Sequence, residues 1–390
     1  MNQRNCNNNT EVFFELVRAG LWPNDNARST LSLGSSKNLN HNYEFDGVDW
    51  ELVYQRAEEQ SVVGFLAAGM ETLGDNLSVP LELKLQILGE ALQIEQQNKD
   101  MNAFVAKLIE NMRHKGIYAI LVKGQGIAQC YERPLWRSSG DVDLLLSDDN
   151  YEKAKEQLMP LAETMEKEYV REKHLGMTID DWVVELHGHL YCGLSSRIEK
   201  ELDEVRRDTF YGGAVRSWDN NGVQVFLLKA ENDAFYVFTH ILQHFYKDGV
   251  GLRQICDWCR LLYTYREKLD LRVLESRIKR AGLMSEWKAL GAFAVEYLGM
   301  PEDAMPLYSD VSCWKRKARR ILDFILMSGN MGHNREKSYG QYPFLIKKAY
   351  SMGRRLSDVV NHVRIFPLDS MRFSFAIMKN GITSALRGEG

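Results

Sequence analysis

The run Ile117-Tyr118-Ala119-Ile120-Leu121-Val122 constrains this chain more than any other segment. Six consecutive apolar, β-favouring residues read as a buried strand. The run breaks at Lys123-Gly124-Gln125-Gly126. A short helix follows over 127–131, then a polar loop over 133–140, then a second apolar strand over 142–146. Residues 150–158 carry a helical pattern. Two further strands fit 177–179 and 182–187, with Asp180-Asp181 as a hairpin turn. Strand, helix, strand, helix and hairpin make a small α/β unit.

Outside that unit the pattern is helical. Phe13 opens a short amphipathic stretch to Leu21, and Asp49 can cap a helix running through Trp50, Val53, Ala57 and Glu58. Residues 80–114 hold long helical spacing, with Leu81, Leu85, Leu88 and Leu92 followed by Met101, Phe104, Val105, Leu108 and Ile109. Helices return from about residue 226, most clearly over 230–246, 252–265 and 271–281. The end of the chain, after Pro343, is helical in pattern and basic. Three parts follow: an N-terminal helical region at 1–114, a core at 115–228 and a C-terminal helical domain with a basic tail at 229–390.

Composition narrows the classes. Hydrophobic residues make up 45% of the 390 and charged residues 26%, which excludes disordered and collagen-like chains. The formal charge of −4 confines any nucleic-acid surface to a local patch. The polar, Asn-rich first ten residues lack the basic-then-apolar order of a secretory signal. No apolar run approaches the ~20 residues needed to span a bilayer. The scattered Cys6, Cys130, Cys192, Cys256, Cys259 and Cys313 read as reduced thiols, so a cytoplasmic protein is expected.

The chemistry concentrates in Gly140-Asp141-Val142-Asp143-Leu144-Leu145-Leu146. The period of two in a strand puts Asp141 and Asp143 on one face. Like charges held side by side are unfavourable unless a cation sits between them. Two carboxylates suit magnesium, which binds through one or two of them together with substrate phosphates. Glu185, in Trp182-Val183-Val184-Glu185-Leu186-His187, interrupts an apolar strand and is the candidate third ligand, with His187 on its face. Lys123-Gly124-Gln125-Gly126 lies between a strand and a helix, where Lys123, Gly124 and Gly126 suit phosphate binding. Arg137, Ser138 and Ser139 precede the acidic strand and are candidate phosphate contacts.

Leu121-Val122-Lys123-Gly124, Arg137-Ser138-Ser139-Gly140-Asp141-Val142-Asp143-Leu144-Leu145 and Val184-Glu185-Leu186-His187 together resemble the bacterial uncharacterised nucleotidyltransferase-like family, of the DNA polymerase β-type nucleotidyltransferase superfamily. The resemblance extends to Arg18-Ala19-Gly20-Leu21-Trp22, to the segment from Asp49 to Gln60, and to His240, His244, Arg253 and Asp257. It covers roughly residues 12–265. It implies an α+β fold: a small mixed-sheet nucleotidyltransferase-type core flanked by the N-terminal and C-terminal helical domains. It implies transfer of a nucleoside monophosphate from an NTP to an acceptor, with release of pyrophosphate. Carried over, Asp141 and Asp143 would ligate two magnesium (or manganese) ions. Glu185 would ligate one and help deprotonate an acceptor hydroxyl on a small molecule, protein or RNA. Gly124 and Gly126 would hold the triphosphate. The chain departs from the superfamily in its glycines: Gly124 is followed by Gln125 and lies seventeen positions before Asp141.

Other features carry less. His187-Gly188-His189 and the i, i+4 pair His240/His244 have zinc-like spacing, but packing or substrate contact is the simpler reading. Cys256-Asp257-Trp258-Cys259 lies in an apolar helical pattern and reads as core. Arg253 and Asp257 can pair along a helix or close the cleft from the C-terminal side. Lys315-Arg316-Lys317-Ala318-Arg319-Arg320, Lys347-Lys348, Arg354-Arg355, Arg364 and Arg372 form a basic series that suits a weak anionic partner, nucleic acid or lipid. Two rival readings are a non-catalytic nucleotidyltransferase-fold binding module and a histidine-ligated metal hydrolase.

Overall fold

A computed structural model describes residues 3–23, 47–74, 77–247, 249–330, 332 and 357–386. Among the described residues four helices come first: α1 (Gln3–Leu21), α2 (Trp50–Glu59), α3 (Val63–Leu73) and α4 (Leu81–His114). The sheet region follows, with β1 (Ala119–Val122), α5 (Gly124–Ala128), β2 (Asp141–Leu146), α6 (Asp148–Leu158), β3 (Thr164–Met165), β4 (His174–Ile179), β5 (Trp182–His187), α7 (Ser196–Phe210), β6 (Val215–Asn220) and β7 (Val223–Leu228). Then come α8 (Ala230–Lys247), α9 (Leu252–Thr264), α10 (Leu271–Ala281), α11 (Met284–Leu298) and α12 (Ser312–Ser328), and α13 (Pro367–Leu386) is the last helix among the described residues.

The strands form one mixed sheet in the order β3-β4-β5-β2-β1-β7-β6. β1 is antiparallel to β2 and parallel to β7, and β2 is parallel to β5. This is the expected α+β class with a mixed-sheet core between helical flanks. The hairpin at Asp180-Asp181 is present, and both residues have positive φ, as a two-residue turn of the mirror type requires.

The structure adds a hairpin that the apolar pattern did not mark. β6 and β7 pair through Asn220↔Val223, with Asn221 and Gly222 at positive φ between them. β7 then fills the position beside β1. The first strand is also shorter than the apolar run: pairing starts at Ala119, and Tyr118 is exposed.

Each face of the sheet has its own apolar layer. Leu121, Val142, Leu144, Leu146, Val184 and Leu186 pack on the second half of α4 and on Tyr151, Ala154 and Leu158 of α6. The other face presents Ile120, Val122 and Leu145 to a larger layer. That layer includes α7 and α8, and it continues through both terminal sets of helices. The N- and C-terminal helices meet directly: Trp22 Nε1 donates to the Leu298 carbonyl (2.7 Å), and Gln60 Nε2 to that of Ile325 (3.1 Å).

Two contacts fix the segment leading into β2. Gly64 of α3 abuts the turn at Pro134–Trp136 so closely that a Cβ there would sit 1.9 Å from the Trp136 carbonyl oxygen. Asn98, buried in α4, donates from Nδ2 to the carbonyls of Leu135 (2.7 Å) and Arg137 (2.8 Å).

Candidate functional site

Strand geometry assembles the acidic cluster. Asp141 and Asp143 alternate with Val142 and so share a face of β2. The parallel β2–β5 register sets Asp143 opposite Glu185. One carboxylate oxygen from each of Asp141, Asp143 and Glu185 lies within 4.8 Å of the other two. The antiparallel β1–β2 register ends at Val122↔Asp143, which delivers Lys123 to the same place. Lys123 sits at φ +58, before the first turn of α5. The cluster faces the helical layer that holds α8.

Asp143 is the buried centre, 1% exposed. Its Oδ1 lies 2.8 Å from Lys123 Nζ and 2.8 Å from His187 Nε2. Its Oδ2 is buried with no hydrogen-bond partner. The Asp143 charge, with burial second, pushes the Asp141 carboxyl pKa up. Burial alone would raise Glu185 too, but hydrogen bonds from His174 and His187 and the Lys123 charge outweigh it and hold that carboxyl well down. Lys123 and His187 are both opposed by burial, yet neighbouring carboxylates keep their pKa values above the ordinary ones. Three clustered carboxylates, one with an orphaned oxygen, fit a hard divalent cation.

The expected phosphate contacts are placed differently. Gly126 is buried against β7, where a Cβ would meet Leu227 Cδ2 at 2.6 Å. Gly124 has φ +38 and lies beside the backbone of Asp141. Gln125 points away from the acidic cluster, donating from Nε2 to Asn98 Oδ1 (2.7 Å) and Ser139 Oγ (2.9 Å). Ser139 Oγ also bonds Asn98.

Arg137 is buried in a two-pronged pair with Asp257, Nε–Oδ1 at 2.9 Å and Nη2–Oδ2 at 2.6 Å. Tyr131 donates its hydroxyl to the same Oδ1 (2.7 Å). Asp257 therefore pairs across to the loop before β2 rather than along α9 with Arg253. Arg253 Nη1 donates to the Ser138 carbonyl (2.8 Å), and its Nε is buried without a partner. Its charge acts on Asp141, so this guanidinium borders the cluster.

The geometry can be set beside known proteins. The model of a family described as uncharacterised nucleotidyltransferase matches residues 46–299. The chain belongs to that nucleotidyltransferase family. A crystal structure of an antigenic nucleotidyltransferase-like protein from Paracoccidioides brasiliensis aligns with a TM-score of 0.30 and 15% identity, over 47% of this chain and 90% of that one. No curated protein matches significantly.

Within this nucleotidyltransferase-family chain, α8 supplies the wall opposite the carboxylates. His240 and His244 face each other, Nε2 to Nε2 at 3.1 Å, and do not join the carboxylates in a ligand set among the described residues. Burial, with Lys123 second, lowers the pKa of both, that of His244 to about 4. Burial, with the Arg206 charge second, lowers the pKa of His189. Cys256 and Cys259 are buried in α9, and burial pushes both thiols up, as core packing implies.

One site residue of this family member was not apparent in the sequence. His174, at the start of β4, stands opposite His187 in the β4–β5 register, and its Nε2 lies 3.2 Å from Glu185 Oε2. The only sequence signal is its distance from the Asp180-Asp181 turn, which equals that of His187.

Much of the basic series is occupied. Lys315 pairs with Glu296 and Asp310, Lys317 donates to Ser285 Oγ, and Arg372 lies 3.8 Å from Asp369. Lys347, Lys348, Arg354 and Arg355 fall outside the described residues. No helix among the described residues is long and apolar enough to cross a membrane.

Proposed function

We propose that the chain transfers a nucleoside monophosphate from an NTP to an acceptor hydroxyl. The observation that carries this reading is the meeting of Asp141, Asp143 and Glu185, with Asp143 Oδ2 left unpartnered. Asp141 and Asp143 would hold magnesium or manganese, and Glu185 would share one ion. Such ions, once bound, neutralise charge building on phosphoryl oxygens and make a nearby hydroxyl a better nucleophile.

The chain's own groups do the rest. Lys123 and Arg253 put positive charge beside the carboxylates, where a triphosphate would lie. Glu185 accepts the hydrogen bond of the attacking hydroxyl and orients it, and the proton passes to water. The acceptor oxygen bonds to the α-phosphorus, the α–β bridging P–O bond breaks, and pyrophosphate leaves. Arg137, locked to Asp257, acts by fixing the loop before β2 rather than by touching phosphate. Candidate acceptors are a small molecule, a protein or RNA. An RNA or other anionic partner at the basic C-terminal helices would bind with an affinity that falls steeply with salt.

The test is label transfer. The protein is incubated with each NTP labelled at the α-phosphate, with magnesium or manganese, and the label is sought on the protein itself, on RNA and on cell extract. Label should move and pyrophosphate should appear. Asp141→Asn should lower the rate by at least about 100-fold, the scale of losing one fixed charge-stabilising group. Wild-type turnover by Asp141→Asn, or no transfer to any acceptor, overturns the reading.

A further inference from the structure

The carboxylate that completes the acidic trio belongs to a second ligand set. His174 of β4 and Glu185 and His187 of β5 each offer one atom, and all three atoms lie within 4.8 Å of one another. The antiparallel register explains the meeting. His174 pairs with His187, and Gly176, which has no side chain to intrude, pairs with Glu185. The imidazole rings are 4.8 Å apart at their centroids.

We propose that His174, Glu185 and His187 form a binding site for a first-row transition ion, zinc(II) being the best match, next to the hard-oxygen site and exclusive of it. Zinc takes imidazole nitrogen and carboxylate oxygen at about 2.0–2.2 Å in a tetrahedron, which sets neighbouring ligand atoms about 3.3 Å apart. Here Glu185 Oε2 lies 3.2 Å from His174 Nε2 and 3.4 Å from His187 Nε2. The spacing is already that of a tetrahedral edge. All three side chains are partly accessible, at 23%, 26% and 12% exposure, so an ion can reach them. Two imidazoles and one carboxylate leave a fourth position for water, the arrangement of an open zinc site.

Donor chemistry separates the two sites. The Asp141–Asp143–Glu185 set is all oxygen and suits magnesium; the His174–Glu185–His187 set is rich in nitrogen and suits zinc. Glu185 is the carboxylate common to both. An ion drawn to the histidines takes Glu185 from the acidic trio, and it takes His187 from Asp143 Oδ1. Zinc should therefore antagonise magnesium or manganese at the neighbouring set. The binding claim stands whether or not the trio transfers nucleotides; only the antagonism touches that reading.

The full chain, stripped of metal, is titrated with zinc against a chromophoric chelator, and cobalt(II) is added separately as a spectroscopic stand-in. One equivalent of zinc should bind, and cobalt should develop the strong visible absorption of a four-coordinate site. His174→Ala, which leaves the acidic trio whole, should bind this zinc at least about 100-fold more weakly, since even outer-sphere partners of a ligand cost 10–100-fold. Asp141→Asn should bind it as the wild type does. Thermal melts establish that both variants are folded. Unchanged zinc affinity in His174→Ala overturns the proposal, because the ion then sits elsewhere, on thiols or on the carboxylates. An equal loss in Asp141→Asn overturns it too, as does a wild type that binds no zinc. Failure here leaves the label-transfer result untouched, so the two readings fall separately.

Discussion

The acidic trio makes an opposite-sign prediction for its two aspartates. Asp141 and Asp143 repel: at a separation of no more than 4.8 Å and an effective dielectric of about 20, two unit charges cost at least about 3.5 kcal/mol. Lys123 and Arg253 offset part of this at Asp141, yet the carboxyl pKa stays raised, so a net cost remains. Asp141→Asn should remove that cost. Asp143 is different, since Lys123 Nζ and His187 Nε2 both rest on its Oδ1. Asp143→Asn strands a largely buried ammonium, a change worth about 3–5 kcal/mol of destabilisation. At about 2.1 cal/mol/K per residue, one kcal/mol moves the midpoint of a chain this long by about 1 °C. Thermal melts in chelator should therefore rank Asp141→Asn above the wild type and Asp143→Asn several degrees below it. Magnesium at 100 times its Kd should stabilise the wild type by about 2.7 kcal/mol and either variant far less, so the lead of Asp141→Asn over the wild type shrinks. The reasoning fails if Asp141→Asn melts below the wild type in chelator, or if magnesium lifts it equally.

Glu286 is 0% exposed, and burial, reinforced by Asp369, pushes its pKa from 4.5 to about 8. The folded state holds this proton more tightly than the unfolded one, so the contribution is complete below pH 4.5 and is lost as pH rises through 8, up to about 5 kcal/mol. Denaturation of Glu286→Gln should vary much less between pH 6 and pH 9 than that of the wild type; parallel profiles would place the dependence elsewhere. Asp257→Ala leaves buried Arg137 without its carboxylate and should destabilise by about 3–5 kcal/mol in urea melts, and a neutral result would mean the pair is dispensable. Gly126→Ala drives a methyl toward Leu227 and should cost about 1–3 kcal/mol of stability. Its NTP-induced thermal shift should match the wild type's, whereas a lost shift with intact stability would return Gly126 to phosphate binding.

The acidic face was legible because its cause is local. A period of two places Asp141 and Asp143 together wherever β2 goes, and a charged residue inside an apolar strand marks Glu185 in the same way. What the residues alone do not state is register. Whether Glu185 meets Asp143 or slides two residues past it depends on β2–β5 pairing between segments 42 positions apart, set by how Val184 and Leu186 sink into the layer under α4. The Asn221-Gly222 turn was legible in principle, since that dipeptide favours the mirror-type hairpin, but Phe226 and its neighbours run on into α8 and blur the strand. The Asn-rich start shows the reverse error. Propensity disfavours a helix there, yet α1 begins at Gln3, because Phe13, Leu16, Val17 and Leu21 bury one face and the helix extends back from that anchor.

Arg137 is the instructive failure. Beside two serines and before two aspartates it has every local mark of a phosphate contact, and the carboxylate that claims it comes 120 positions later, on α9. A guanidinium binds a protein carboxylate and a phosphate through the same planar fork. Sequence reasoning can therefore identify a residue that will grip an oxyanion. Which oxyanion it grips is decided by burial: Arg137 and Asp257 are each about 5% exposed and neutralise one another. Arg253, whose Nε has no partner and whose charge acts on Asp141, is left at the rim of the cluster. Of these two arginines Arg253 is the one that helix packing did not consume, and Arg253→Ala should weaken NTP binding where a substitution at Arg137 chiefly weakens the fold.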